Sequence, residues 1–250
     1  MSYIMQRALS VSEVISQSIK LYCANSKKAM GYAFIISLMS VIVLLAFNLF
    51  ASTTLEAIIL GVFSVLILIA TLIVGIGYYV ALVSMLNHGL HQEPSANSQI
   101  GFLLGVKRFW PVLAGFIIAF LLVMIGLCLF ILPGIFLLVA LYIYWPLIVI
   151  EKQNPLSAFV NSIALTWGSW WRTLLVLIFI NICVFIVYMI LNFILLFLPH
   201  WIFHSQALLG NMILRDIVRI IIGTLFYPWF VAAAVVLLHD FKVRKQQRDS

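Results

Sequence analysis

The chain has 250 residues, 65% of them hydrophobic and only 8% charged, with a formal net charge of +7. A soluble domain carries about 25% charged residues, so this composition excludes one. Short alternating segments, the mark of a transmembrane barrel, are absent too. Apolar runs of about 18 residues or more recur instead, which indicates an all-α, polytopic membrane protein.

The chain opens with an amphipathic segment, "MSYIMQRALSVSEVISQSIK", that lacks a continuous apolar core. It does not read as a cleavable signal peptide, so the first span is expected to be an uncleaved anchor. Val11, Ile15, Ile19 and Tyr22 recur at helical spacing. Ser10 and Glu13 fit a capping box, in which each satisfies a free backbone donor of the other.

Six spans are predicted, at about 29–50, 57–86, 110–132, 134–150, 171–198 and 217–238. The second run exceeds a hydrocarbon core of about 30 Å at 1.5 Å per residue, so it must tilt, bend or emerge. Gly75 and Gly77 lie inside it. The apolar stretch from Trp110 to Ile150 is long enough for two crossings and too long for one. Proline breaks a helix and glycine permits a tight reversal, so Pro133-Gly134 is read as the tip of a helical hairpin.

Twelve Lys and Arg fall on one side of this layout, and only Arg215 and Arg219 on the other. Short loops rich in Lys and Arg stay cytoplasmic, so both termini are expected inside. The net positive charge then reads as this bias plus attraction to anionic lipid headgroups, not as a nucleic-acid surface. Cys23, Cys128 and Cys183 form no CxxC pair, which argues against a disulfide framework or a zinc site.

Each inside segment before an odd-numbered span reads as an interfacial helix. The third has Asn154 as N-cap, Pro155 at its first position, and Leu156, Phe159, Val160, Ile163 and Trp167 on one face. The middle one is weaker: Ile100, Leu103 and Leu104 are accompanied by Gly101 and Gly105. Ser18-Ile19-Lys20-Leu21 matches Ser162-Ile163-Ala164-Leu165. The pattern suggests a threefold repeat of helix plus two-span hairpin, although any six-span protein with short inside loops shares that outline.

Residues Leu132–Trp171, "LPGIFLLVALYIYWPLIVIEKQNPLSAFVNSIALTWGSWW", resemble the YciC-type bacterial inner-membrane proteins. They also resemble the membrane domain attached to some glycerophosphodiester phosphodiesterases. The shared features are Pro133-Gly134, Pro146, the acidic Glu151 and an A-x-x-x-S-x-x-L-T helix, here Ala158, Ser162, Leu165 and Thr166. "LSVSEVISQSIKLYCANSKKAM" and "YPWFVAAAVVLLHDFKVRK" are similar to that group's first and last helices. The resemblance implies a bacterial inner-membrane location and no assigned activity. The phosphodiesterase chemistry belongs to a separate catalytic domain, for which a chain with seven acidic residues has no room.

Several residues invite a functional reading. Asn181, Tyr188 and Asn192 form a polar stripe on the fifth span; it could line a solute or lipid path, or supply interhelical hydrogen bonds. Pro228 in the sixth span sets a kink that frames a site or fixes a bend. Glu151, at a helix C-terminus, needs a cation, and Arg172 is the first candidate, ahead of Lys152. Asp216 and Arg219 are placed for an i,i+3 pair, and Arg215 and Arg219 for snorkelling or a lipid phosphate. The pairs His88/His91 and His200/His204 have helical spacing, but a metal site needs a third ligand.

No charged residue is predicted near a bilayer midplane, and no P-loop, nucleophile elbow or HExxH motif is present. The expectation is therefore a non-enzymatic protein without cofactor or metal. Its expected role is a scaffold or accessory subunit that meets lipid, a membrane-protein partner or its own copies. The alternative is a facilitator for an apolar or amphipathic solute such as a lipid, with a cavity between spans five and six lined by Asn181, Tyr188, Asn192 and Pro228.

Overall fold

The computed structural model describes the backbone of residues 7–49, 55–91, 98–202 and 208–249, and side chains over 7–43, 64–91, 101–194 and 215–248. Ten helices occupy these residues: α1 (Val11–Ala24), α2 (Ser26–Leu49), α3 (Leu55–His91), α4 (Ser98–Lys107), α5 (Phe109–Leu129), α6 (Ile131–Ala140), α7 (Tyr144–Ile150), α8 (Pro155–Trp167), α9 (Trp170–Ile202) and α10 (Leu208–Asp249). Six stretches among them are long and apolar enough to cross a membrane: Ser26–Val43, Ser64–His91, Phe109–Leu129, Ile131–Ile150, Trp170–Ile194 and Arg215–Arg248. The fold is thus all-α with six candidate spans. The long second run resolves as a single helix that continues to His91.

The fourth span is two helices. The hairpin before it reverses at Phe130, whose backbone is extended (φ −159°, ψ 147°), and not at Pro133-Gly134. Pro133 sits in the first turn of α6, where a missing N–H leaves no intrahelical bond unmade. Gly134 lies inside α6 against α5: a Cβ there would stand 2.8 Å from the Leu127 backbone nitrogen. Close approach, and not a tight reversal, is what this glycine supplies. Helix α6 then stops at Ala140, and α7 restarts at Tyr144 with Pro146 in its first turn.

The six spans group as hairpins: α2 with α3, α5 with α6–α7, and α9 with α10. The second members, α3, α7 and α10, meet one another in the interior. Each also packs against the first member of the next hairpin, α3 on α5, α6 on α9, and α10 on α2.

The helices preceding the hairpins follow the same cyclic rule. Helix α4 packs on α3, α8 on α6 and α7, and α1 on α10. Each therefore rests on the second span of the preceding hairpin. The three-unit pattern describes the order of helix and hairpin along the chain, and this packing on the preceding hairpin is a feature it did not contain.

Two of these short helices, α4 and α8, turn small residues inward, whereas α1 buries Val14 and Leu21 beside Ser18. Gly101 and Gly105 of α4 lie on α3, where a Cβ at Gly105 would approach the Gly77 Cα to 2.6 Å and one at Gly101 the Ala81 Cα to 3.2 Å. Small residues let helix backbones meet closely where water does not drive association. In α8 the inward residues are Ala158, Ser162 and Thr166. The apolar face foreseen for that helix splits differently: Leu156, Val160 and Trp167 are exposed, and Phe159 and Ile163 half-buried. Exposed apolar residues on an interfacial helix suit the acyl boundary of a bilayer.

Candidate functional site at the basic end

The first and last helices are tied together at one end of the bundle. Asp240 of α10 is fully buried (0% exposed). One carboxylate oxygen accepts from Arg172 Nη1 at 2.8 Å and Arg244 Nε at 2.9 Å. The other accepts from the Leu9 backbone N–H at 2.6 Å. The Leu9 carbonyl in turn accepts from Arg244 Nη2 at 2.6 Å and from Arg172 Nη2. Both backbone groups of Leu9 are therefore clamped.

This cluster holds two guanidinium groups and one carboxylate. A buried charge needs such pairing because leaving water is costly. Its position follows from local structure. Asp240 and Arg244 are one helical turn apart on α10, and Arg172 lies in the first turn of α9.

The capping box at α1 is present as expected. Ser10 Oγ accepts from Glu13 N at 3.3 Å, and Glu13 accepts from Ser10 N at 2.7 Å. The Ser10 backbone bond, followed by that from its side chain, holds the Glu13 carboxyl below the usual glutamate range. Arg7 adds an exposed ion pair at 2.6 Å.

Glu151 finds a different cation from the one expected. Its partner is Lys242 Nζ at 2.7 Å, and Gln153 Nε2 donates to it at 2.5 Å. Arg172 is engaged by Asp240. Next to Glu151, Lys152 adopts a left-handed backbone (φ 57°) that carries the chain from α7 into α8. Arg108 takes the helix-capping role at α7 and donates to the Ile148 carbonyl at 3.1 Å. A cation on the last carbonyls of a helix satisfies free acceptors and complements its dipole.

The break in the fourth span is also closed by named groups. The Tyr144 N–H bonds to Leu141, three residues back, so it leaves the Ala140 carbonyl free. Ser162 Oγ donates to that carbonyl at 2.6 Å, and Thr166 Oγ1 stands at 3.5 Å. Pro146 removes the donor that would otherwise reach Tyr142. The Ser and Thr of the A-x-x-x-S-x-x-L-T helix thus cap the interruption that precedes Pro146. The matching Ser18 of α1 is equally buried and accepts from Trp229 Nε1 of α10 at 2.9 Å.

The polar stripe on α9 is not turned toward α10. Asn181 and Tyr188 are exposed and Asn192 half-exposed, whereas Pro228 is buried. The amides donate to their own helix, Asn181 to Leu177 and Asn192 to Tyr188, each at 2.8 Å. They line no common cavity with Pro228, and their bonds are within one helix, not between helices.

Asp216 and Arg219 form the expected i,i+3 pair at 2.8 Å. His88 Nδ1 lies 2.7 Å from the Ser84 carbonyl. The rings of His91 and His239 meet edge-on at 4.8 Å, and His239 Nε2 lies 3.0 Å from Asn87 Oδ1. The side chains of His200 and His204 lie outside the described residues. Among the described residues no three His, Cys, Asp or Glu side chains gather as a metal-binding group.

Sequence reasoning missed Asp240. Its signal was an acid at the end of an apolar run with a basic residue four positions on, a spacing read only as part of the tail's positive charge. Chemically the basic end offers clamping and capping, with the carboxylates already engaged by cations. No family model, no curated protein and no solved structure matches this chain.

Proposed function

We propose that the chain is a non-enzymatic scaffold or accessory subunit of a membrane assembly, of the YciC-type group, seated in a bacterial inner membrane with both termini cytoplasmic. One observation carries this reading. Asn181 and Asn192 face outward from α9, at membrane depth, beside the exposed Ile182, Phe185 and Met189. Each amide gives a donor to its own helix and keeps its carbonyl oxygen for another group. An outward-facing amide in an apolar span is costly in lipid and favourable against a partner helix.

The positive bias supports cytoplasmic termini. The resemblance supports the bacterial setting.

The test is a photo-crosslinking residue placed at Phe185 in cells, with and without Asn181→Leu and Asn192→Leu. A discrete protein adduct that disappears in the double variant is expected. Adducts with lipid alone in both backgrounds would overturn the scaffold reading and favour the facilitator.

A further inference from the structure

The spans in α5 and α9 are the least buried of the six, and their compositions differ. Helix α5 carries no Asn, Gln, Ser, Thr or Tyr over 109–129. Such a face needs only acyl chains beside it. In α9, residues 174–194 hold three side chains of these types, Asn181, Tyr188 and Asn192.

All three fall on one line of a regular pattern. Leu174, Ile178, Asn181, Phe185, Tyr188 and Asn192 follow one another at spacings of four, three, four, three and four. This is the seven-residue repeat along which two helices meet in a left-handed supercoil, the common crossing in membrane bundles. The seam lies on the outside of the chain. Val176, Leu177 and Ile180 of α9 are buried against the chain's own helices. On the seam, Ile178, Asn181, Phe185 and Tyr188 are exposed, and Leu174 and Asn192 half-exposed. Off the seam, the exposed Phe179, Ile186 and Ile190 are all apolar.

Each amide has hydrogen-bonding capacity left. Asn181 donates one N–H to the Leu177 carbonyl, and Asn192 one to the Tyr188 carbonyl. A second N–H and the carbonyl oxygen remain on each. A donor and an acceptor on one planar group are self-complementary, so two asparagines facing across a twofold axis exchange both bonds. The two positions are eleven residues apart, about 16 Å along the helix. A partner helix must therefore offer polar groups at two depths in the right register. A second copy of this chain meets that condition automatically. It enters the membrane in the same orientation, and its seam sets Asn181 beside Asn181 and Asn192 beside Asn192. A seam asparagine fixes register in just this way, and a twofold contact closes at two copies.

We infer that the partner met by α9 is a second copy of this chain, packed as a parallel twofold dimer along 174–192 with Asn181 and Asn192 each paired with its counterpart. The inference rests on the scaffold reading, in which α9 meets a protein, and it names that protein.

Single cysteines in the full chain, in a background without Cys23, Cys128 and Cys183, would be oxidised in native membranes. Ile178→Cys, Phe185→Cys and Tyr188→Cys are expected to give disulfide-linked dimers. Phe179→Cys, Ile186→Cys and Ile190→Cys, similarly exposed but off the seam, are expected to give none. Energy transfer between labelled copies in vesicles reads the amides. Asn181→Leu with Asn192→Leu should weaken self-association about fiftyfold, the loss of four average interhelical hydrogen bonds, with helix content by circular dichroism unchanged. Equal linking on and off the seam, or self-association unchanged in the double variant, would overturn the dimer. The photo-crosslinker at Phe185 separates this inference from the reading beneath it. An adduct of twice the chain's mass supports the dimer. An adduct with a different protein overturns the dimer and leaves the scaffold reading standing, and lipid adducts alone overturn both.

Discussion

At Asp240 a carboxylate without exposed surface holds two guanidinium groups and a backbone amide. Removing one partner from a buried charge cluster costs about 3–5 kcal/mol, because the remaining charges lose their compensation. Asp240→Asn should therefore lower stability by about that amount, with Arg172 and Arg244 left facing one another. Thermal unfolding in detergent measures the loss, and hydrogen exchange at Leu9 should rise with it. The exposed pair of Arg7 and Glu13 predicts a contrast: Arg7→Ala should leave stability nearly unchanged, because solvent and salt screen the pair. At this scale the sequence was least informative. Glu151 visibly needed a cation, and two lay near it in sequence, but the threading of α10 beside α7 brought Lys242 instead. Such pairings depend on which helix ends become neighbours, and local spacing does not contain that. The Asp216–Arg219 pair and the Ser10–Glu13 box were legible because each lies within one turn of one helix.

Helices α4 and α8 are held by what they lack in bulk. The Gly105 face of α4 touches the backbone of α3 at Gly77, which cannot move aside as a side chain can. Gly105→Ala should cost about 1–3 kcal/mol through overpacking, and Gly101→Ala, with a 3.2 Å approach, should cost less. Cysteine crosslinking between α4 and α3 would register the detachment. In α8, Ser162→Ala leaves the buried Ala140 carbonyl short of a donor and should cost about 1–3 kcal/mol. Thr166 stands near enough to take over part of that bond, so the double variant with Thr166→Val should lose more than Ser162→Ala alone. Chemical-denaturant unfolding separates the two. The existence and order of these elements could be read from hydropathy, because span length is set by the bilayer. Their inward faces could not. In water the bulky apolar face of a helix turns inward, whereas here Leu156, Val160 and Trp167 stay outside and the small polar stripe is buried. The reading of Gly101 and Gly105 as weak helix formers missed the close approach they permit.

The whole molecule places its described N-terminal and C-terminal segments together, through Leu9 and Asp240. Single cysteines at Ser12 and Lys245, in a background without Cys23, Cys128 and Cys183, should react with an impermeant reagent from the same face of sealed vesicles. Reaction from opposite faces would contradict the clamp. A repeat of helix plus hairpin was suggested by the match around Ser18 and Ser162, but the cyclic order of the hairpins, with each short helix resting on the preceding one, needs three-dimensional packing to be seen. The middle hairpin departs from its companions. Its arms hold 21 and 20 residues, against whole helices of 24 in α2, 37 in α3, 33 in α9 and 42 in α10. Its tip is wholly apolar, with Leu129, Phe130, Ile131 and Leu132 exposed at 65, 73, 70 and 79%. A tip of this kind has nothing to anchor it in water, so neither arm can settle across a bilayer by itself during synthesis. The two must enter the lipid as one paired unit, and a chain truncated after Phe130 should leave α5 without a stable register until α6 is made.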